Sequence, residues 1–184
     1  RLRLIRSADD LAALLAERAA GSRVIGAVLA MEGAHPLEGN LANLAVMEGA
    51  GYRIFGLTHF FDNELGGSLH GQSQAGLSDF GREVVAELVA RRLVIDLAHA
   101  SPQMVREVLA LPGARPMLSH TGVHGLCNTP RNLDDALLRQ IADKGGIVGI
   151  GFWADVTCND SPAGIAAAIV AAIELLGEDH VALG

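Results

Sequence analysis

The stretch Leu93-Val-Ile-Asp-Leu-Ala-His-Ala-Ser-Pro-Gln-Met-Val-Arg-Glu-Val-Leu109 decides the fold. Leu93 to Ala98 is an almost unbroken apolar run of strand length, the pattern of a strand covered on both faces. His99 follows it. Ser101-Pro102 then supplies a helix cap and a first-turn proline, and the residues to Leu109 carry the helix until Pro112-Gly113 stops it. A buried strand followed at once by a helix is one unit of a parallel sheet, because parallel neighbours need a crossover connection.

The same unit recurs in both directions. Toward the C-terminus, Pro116 to Ser119 reads as a short strand, Leu133 to Lys144 as a helix ending at Gly145-Gly146, and Ile147 to Phe152 as a strand. Ser161-Pro162 opens a last helix, and His180-Val-Ala-Leu183 reads as a strand. Toward the N-terminus, Arg53 to Thr58 is a strand joined by a polar loop, about Phe60 to Gly76, to a helix opening at Ser78-Asp79-Phe80-Gly81. Val24 to Met31 is a further continuous apolar strand, followed by a helix from Asn40 to Gly51. The first helix runs from a cap at Ser7-Ala-Asp-Asp10 through Leu11 to a stop at Gly21. About six strands, all of the buried type, alternate with helices, and the predicted class is α/β with right-handed crossovers.

With 184 residues, half of them hydrophobic and 19% charged, the chain has the apolar material for one core, so one domain over 1–184 is expected. The 14 basic residues face 21 acidic ones, a net charge of −7, which argues against a nucleic-acid partner or a polybasic membrane patch. Its 22 glycines suit tight turns and close helix-on-strand packing. The longest apolar stretch, Ile165 to Leu176, carries Glu174 and falls short of the roughly 18 residues a membrane span needs, so no transmembrane segment is expected. Cys127 and Cys158 lack CxxC spacing. They predict neither a disulfide framework nor a cysteine zinc site, and favour a reducing, cytoplasmic setting. Arg1 opens the chain with no basic-then-apolar signal segment behind it, so the native N-terminus is expected upstream.

The chemistry gathers at strand ends. Glu32 follows the strand ending at Met31, His59 follows Thr58, His99 follows Ala98 and His120 follows Ser119. In a parallel α/β fold these ends share one face, and in a barrel they converge on one mouth. One carboxylate and three imidazoles make a donor set for a transition metal. Any one of these histidines alone is more often a hydrogen-bonded loop residue; four such side chains at equivalent positions favour the metal site. Asp96 reads as a buried polar anchor in preference to an orienter of a ligand. Arg131, in Asn128-Thr-Pro-Arg-Asn132, is placed to clamp a substrate carboxylate, or equally to cap the following helix from the surface. His35, His70, His124 and His180 lack strand-end placement and read as solvated loop residues.

Other catalytic patterns are weak. Gly149-Ile-Gly151 has its glycines inside a strand, and the next helix is expected only near Ser161, unlike a dinucleotide fingerprint. Gly71-Gln-Ser73-Gln-Ala75 misses the nucleophile-elbow pattern and lies in a polar loop. There is no HExxH and no P-loop.

Glu32-Gly33 after a strand, Leu57-Thr58-His59 with Asn63, Gly76 to Gly81, Ile95-Asp-Leu-Ala-His-Ala-Ser101, Ser119-His120 and Pro130-Arg-Asn132 occur in order from about Val24 onward. Together they resemble the membrane dipeptidase (renal dipeptidase) family of zinc peptidases. The resemblance implies a (β/α)8 TIM-type barrel of the amidohydrolase kind, with about six βα units in this chain and the first and last strands missing. It implies a site for two zinc ions and dipeptide hydrolysis through a metal-activated water, β-lactams being cleaved by some members. Glu32 is then the carboxylate shared by both zinc ions, with His99 and His120 completing the second zinc site. His59 is the catalytic residue at the scissile carbonyl, and Arg131 holds the substrate carboxylate. The family also forms homodimers. No His-x-Asp occurs to supply the first zinc, and the Asp-Phe-Asp-Gly segment with the acid/base aspartate is expected directly after Gly184. Two other readings stay open: a metal-dependent hydrolase of another small amide or a β-lactam, and a non-catalytic barrel fragment.

Overall fold

A computed structural model describes residues 1–184. Six strands form one parallel sheet in chain order: β3 (Leu29–Met31), β4 (Tyr52–Gly56), β5 (Val94–Asp96), β6 (Pro116–Thr121), β7 (Val148–Ile150) and β8 (Val181–Leu183). Strand order that follows chain order, with a helix at each crossover, is how the wall of a β/α barrel is built. The crossovers are α2 (Ala42–Ala50), α3 (Asp79–Ala90), α4 (Pro102–Ala110), α5 (Asp135–Asp143) and, between β7 and β8, α7 (Pro162–Leu176).

Local chemistry starts these helices where the sequence marks them. The side chains of Ser78, Ser101, Asp134 and Ser161 each accept a hydrogen bond from the third backbone N–H of the helix they precede. Each helix then lays one apolar face on the sheet. Val84, Val85 and Leu88 of α3, Val105 and Val108 of α4, and Leu138 and Ile141 of α5 join Phe55, Ile95, Leu118 and Val148 in one continuous core.

Four details depart from the sequence reading. The apolar run from Val24 to Met31 is two strands serving two sheets: β2 (Ile25–Ala27) pairs with a short β1 (Leu2–Leu4), and β3 pairs with β4. This run is not buried on both faces, since Ile25 is 59% and Val28 45% exposed. β3 and β8 are the two edges of the six-stranded sheet, and an edge strand has no second neighbour to cover it. β1 is three residues long, too short to show an alternation. Its small sheet packs α1 (Ala8–Ala19) over a satellite core of Ile5, Leu14 and Val24. Finally, a one-turn helix α6 (Ala154–Thr157) precedes Ser161, where the sequence pattern suggests only loop.

The cysteine reading is overturned: Cys127 and Cys158 form a disulfide, their Cα atoms 5.4 Å apart and 31 residues apart in sequence. Cys127 follows β6 and Cys158 follows β7, neighbouring strands of the sheet, so proximity comes from topology and no spacing rule reveals it. With both cysteines in a disulfide, their pattern no longer favours a reducing, cytoplasmic setting. No helix is long and apolar enough to cross a membrane. Closing a loop of that length removes unfolded-state entropy worth about 3–4 kcal/mol in the chain-entropy model. Cys127→Ser in the full-length protein is therefore expected to lower the unfolding free energy from a urea titration by an amount of that order, and an unchanged value would refute the expectation.

Asp96 is the buried anchor the sequence suggests. It is 5% exposed, and its Oδ1 accepts hydrogen bonds from the backbone N–H of Ala98 at 3.0 Å and of Ser119 at 2.9 Å. It thus ties the end of β5 to β6 just beneath His99 and His120. Asp96→Ala strands two buried donors, and we expect it to cost about 2–4 kcal/mol in equilibrium unfolding. Asp96→Asn, which keeps an acceptor oxygen, should cost less.

Candidate metal centre

Glu32 leaves the end of β3, and Gly33 behind it takes φ +86°, a conformation that side-chain-bearing residues rarely adopt. His99 follows β5 in the turn before α4 and holds φ +63°, an uncommon value for a non-glycine residue. His120 lies within β6 rather than after it, and His59 stands three residues beyond β4. The backbone of the His99 turn is held from two sides. Its carbonyl accepts from the Thr58 hydroxyl at 2.9 Å and from the Leu69 N–H at 2.7 Å.

These elements bring three donors to one point. Glu32 Oε1 is 3.1 Å from His99 Nε2 and 3.3 Å from His120 Nε2, and the two imidazole nitrogens are 2.9 Å apart. All three ligand atoms lie within 4.8 Å of one another. His99 is almost fully buried, His120 is one-fifth exposed and the Glu32 side chain is half exposed toward the cavity. His59 flanks the group without joining it, its Nε2 3.6 Å from Glu32 Oε1 and its ring edge-on to His99.

Electrostatics keep the imidazoles neutral. Burial, then the positive charge of Arg131, pushes the His99 pKa down to about 3, and the same two causes in the same order lower His120. Neutral imidazoles offer lone pairs. Two nitrogens and a carboxylate oxygen converge with no proton donor of their own among them unless a tautomer supplies it. Nitrogen and oxygen donors of this kind suit a divalent transition metal, so the residues fit the ion.

Arg131 is no surface residue. It is 9% exposed, its Nη2 donates to the His120 carbonyl at 3.2 Å, and its Cζ lies 5.9 Å from the centre of the Trp153 ring. Burial lowers its pKa, while Glu32, Asp96 and Asp155 oppose that shift. Asn132 fixes the loop beneath it. Its amide donates to the Cys127 and Val156 carbonyls and its oxygen accepts from Gly122 N–H, all at 2.8 to 2.9 Å. Arg131, Glu32, His59, His99 and His120 line one cavity of about 270 Å3.

Four further residues of that cavity are not singled out by the sequence as site residues. Phe60 lines it, His70, an exposed loop residue as expected, contacts His99, the Trp153 ring lies tilted 5.8 Å from that of His120, and Asp155 lies beside Arg131. His70 sits in a loop and Asp155 in the one-turn helix α6, both too irregular or too short for a periodicity to mark a side chain's direction. His180 also differs from the loop reading, since Nδ1 pairs with the Gly146 carbonyl at 2.9 Å. His35 is exposed and His124 half-buried, and neither lines the cavity.

A parallel β/α wall that carries a carboxylate and imidazoles at the carboxyl ends of its strands is a candidate metal centre on a fold of the TIM-barrel type. The model of the membrane dipeptidase family, peptidase family M19, matches residues 1–184, and the chain belongs to that family. It is 33% identical over 167 residues to dipeptidase aclJ of Aspergillus oryzae, covering 87% of this chain and 40% of that protein. A crystal structure of an amidohydrolase from Pseudomonas aeruginosa superposes with a TM-score of 0.86 at 28% identity, over 100% of this chain and 55% of that one. A metallopeptidase from Rhodobacter sphaeroides, liganded with a phosphinate mimic of L-Ala-D-Ala, matches at 0.79 and 26%, over 100% and 54%. The chain thus spans roughly half the length of these relatives, and its six strands correspond to part of a (β/α)8 barrel.

Proposed function

We propose that this chain carries the metal- and carboxylate-binding part of a zinc dipeptidase. The observation that supports it is one cavity holding Glu32 Oε1 within 3.3 Å of two neutral imidazoles and, on its wall, a buried arginine. Glu32, His99 and His120 would hold a zinc ion. A bound zinc supplies Lewis acidity and an activated water at neutral pH. The protein's own groups do the rest. His59, beside the donors, donates a hydrogen bond to the scissile carbonyl oxygen as negative charge builds there, a role worth about 3 kcal/mol for one donor. Arg131 receives the free carboxylate of the C-terminal residue and fixes the distance of the peptide bond from the donors.

The dipeptide mimic bound by the Rhodobacter metallopeptidase supports dipeptides as the substrate class. The test is hydrolysis of L-Ala-L-Ala and L-Ala-D-Ala by the full-length protein, assayed as purified, after chelator treatment, and after zinc is restored. Cleavage that is lost on chelation and regained with zinc is expected. Absence of cleavage in zinc-replete protein would overturn the reading.

A further inference from the structure

His70 has no part in the roles above, yet its Nε2 lies 3.1 Å from Nδ1 of His99, the nitrogen that does not face Glu32. An imidazole presents its Nε2 lone pair to a cation only when its proton is on Nδ1, and the partner of Nδ1 selects that tautomer. We propose that His70 is the positioning residue of His99: by accepting a hydrogen bond from Nδ1–H it holds the ring in the tautomer and orientation that aim Nε2 at Glu32 and His120. This rests on the metal-site reading above.

The loop between β4 and α3 is built to deliver that contact. The Asp62 carboxylate accepts from the backbone N–H of Ser68 at 2.8 Å and of Ser73 at 3.0 Å, folding the loop on itself. Ser68 Oγ donates to the His59 carbonyl and accepts from the His70 N–H, which fixes where His70 starts. The same loop grips the His99 turn. Leu69 N–H donates to the His99 carbonyl at 2.7 Å, Ser101 N–H to the Gly67 carbonyl at 3.0 Å, and Ser101 Oγ to the Ala75 carbonyl at 2.6 Å. A left-handed histidine persists only when its surroundings over-determine it, and here one loop supplies both the backbone restraint and the ring restraint. The Phe60 ring packs against both imidazoles, 5.3 Å from His70 and 5.4 Å from His99.

The usual partner behind a metal-binding histidine is a carboxylate or a backbone carbonyl. A neutral imidazole supplies the acceptor without a second negative charge, so Glu32 stays the one anion touching the cluster. His120 has a different arrangement, its Nδ1 2.8 Å from Ser119 Oγ.

The test is a chelator-competition titration of Zn2+ against the full-length wild type and the variants His70→Phe, His70→Leu and His70→Gln. Phenylalanine keeps a ring against Phe60 but removes the nitrogen, leucine is a second apolar replacement, and the glutamine carbonyl can accept the same hydrogen bond. Zinc affinity about 10- to 100-fold weaker in both apolar variants is expected, with glutamine recovering most of it. The absorption bands of the Co2+-loaded protein should shift in His70→Phe and return in His70→Gln, a signature that a packing role would not produce. Apolar variants that bind Zn2+ as tightly as a tight-binding wild type would overturn the inference alone. A wild type that binds Zn2+ no better than Glu32→Gln would instead overturn the metal-site reading beneath it.

Discussion

Glu32→Gln in the full-length protein is expected to lower kcat/KM for dipeptides by about a thousandfold or more, roughly 4 kcal/mol of transition-state stabilisation, and to strip most of the bound metal. The substitution keeps the shape of the side chain and removes its charge. Glu32 Oε1 is the carboxylate oxygen in contact with both His99 and His120, whose imidazoles are neutral. Without it the ion meets two uncharged nitrogens. The guanidinium of Arg131, whose field already depresses both histidines, then repels the cation with less to offset it. Metal content by elemental analysis and initial rates on L-Ala-L-Ala would be read together. A variant that retains full metal and normal turnover would sink the assignment of Glu32 to the metal.

How much of this was legible in the sequence depends on which physical rule governs each residue. Glu32, His59, His99 and His120 could be grouped because parallel strands put their carboxyl ends on one face, so a residue's place relative to an apolar run locates it in space. Ser78, Ser101 and Ser161 likewise announce helices by chemistry local to three residues. Contacts set by loops leave no such trace. His70 reaches His99 across 29 residues, and Cys127 reaches Cys158 across 31, through turns whose paths no periodicity encodes. The burial of Arg131 depends on Trp153 and on the loop that Asn132 ties down, and it belongs to the same class. Val24 to Met31 failed for another reason. An apolar run signals a strand but cannot say that two sheets divide it, or that its outer face lacks a neighbour.

Arg131→Ala is expected to reduce kcat/KM for free dipeptides by about 100- to 1,000-fold, the roughly 3–4 kcal/mol that truncating one partner of a buried charge pair costs. Most of the loss should fall on KM, because on the proposed role the guanidinium would bind the carboxylate in ground and transition states alike. The geometry also predicts what will not rescue it. The guanidinium lies over the Trp153 ring, its Cζ 5.9 Å from the ring centre, and its Nη2 is committed to the His120 carbonyl, which leaves its other N–H groups to meet a carboxylate. A lysine ammonium has neither the plane nor the fork, so Arg131→Lys should recover only a small part of the activity. Comparison with a C-terminally amidated dipeptide isolates the interaction. The wild type should prefer the free acid strongly, and Arg131→Ala should lose most of that preference while its rate on the amide changes little. If the alanine variant keeps the full preference, the carboxylate is bound elsewhere, and Arg131 is then a structural residue that braces the His120 strand through its bond to that carbonyl.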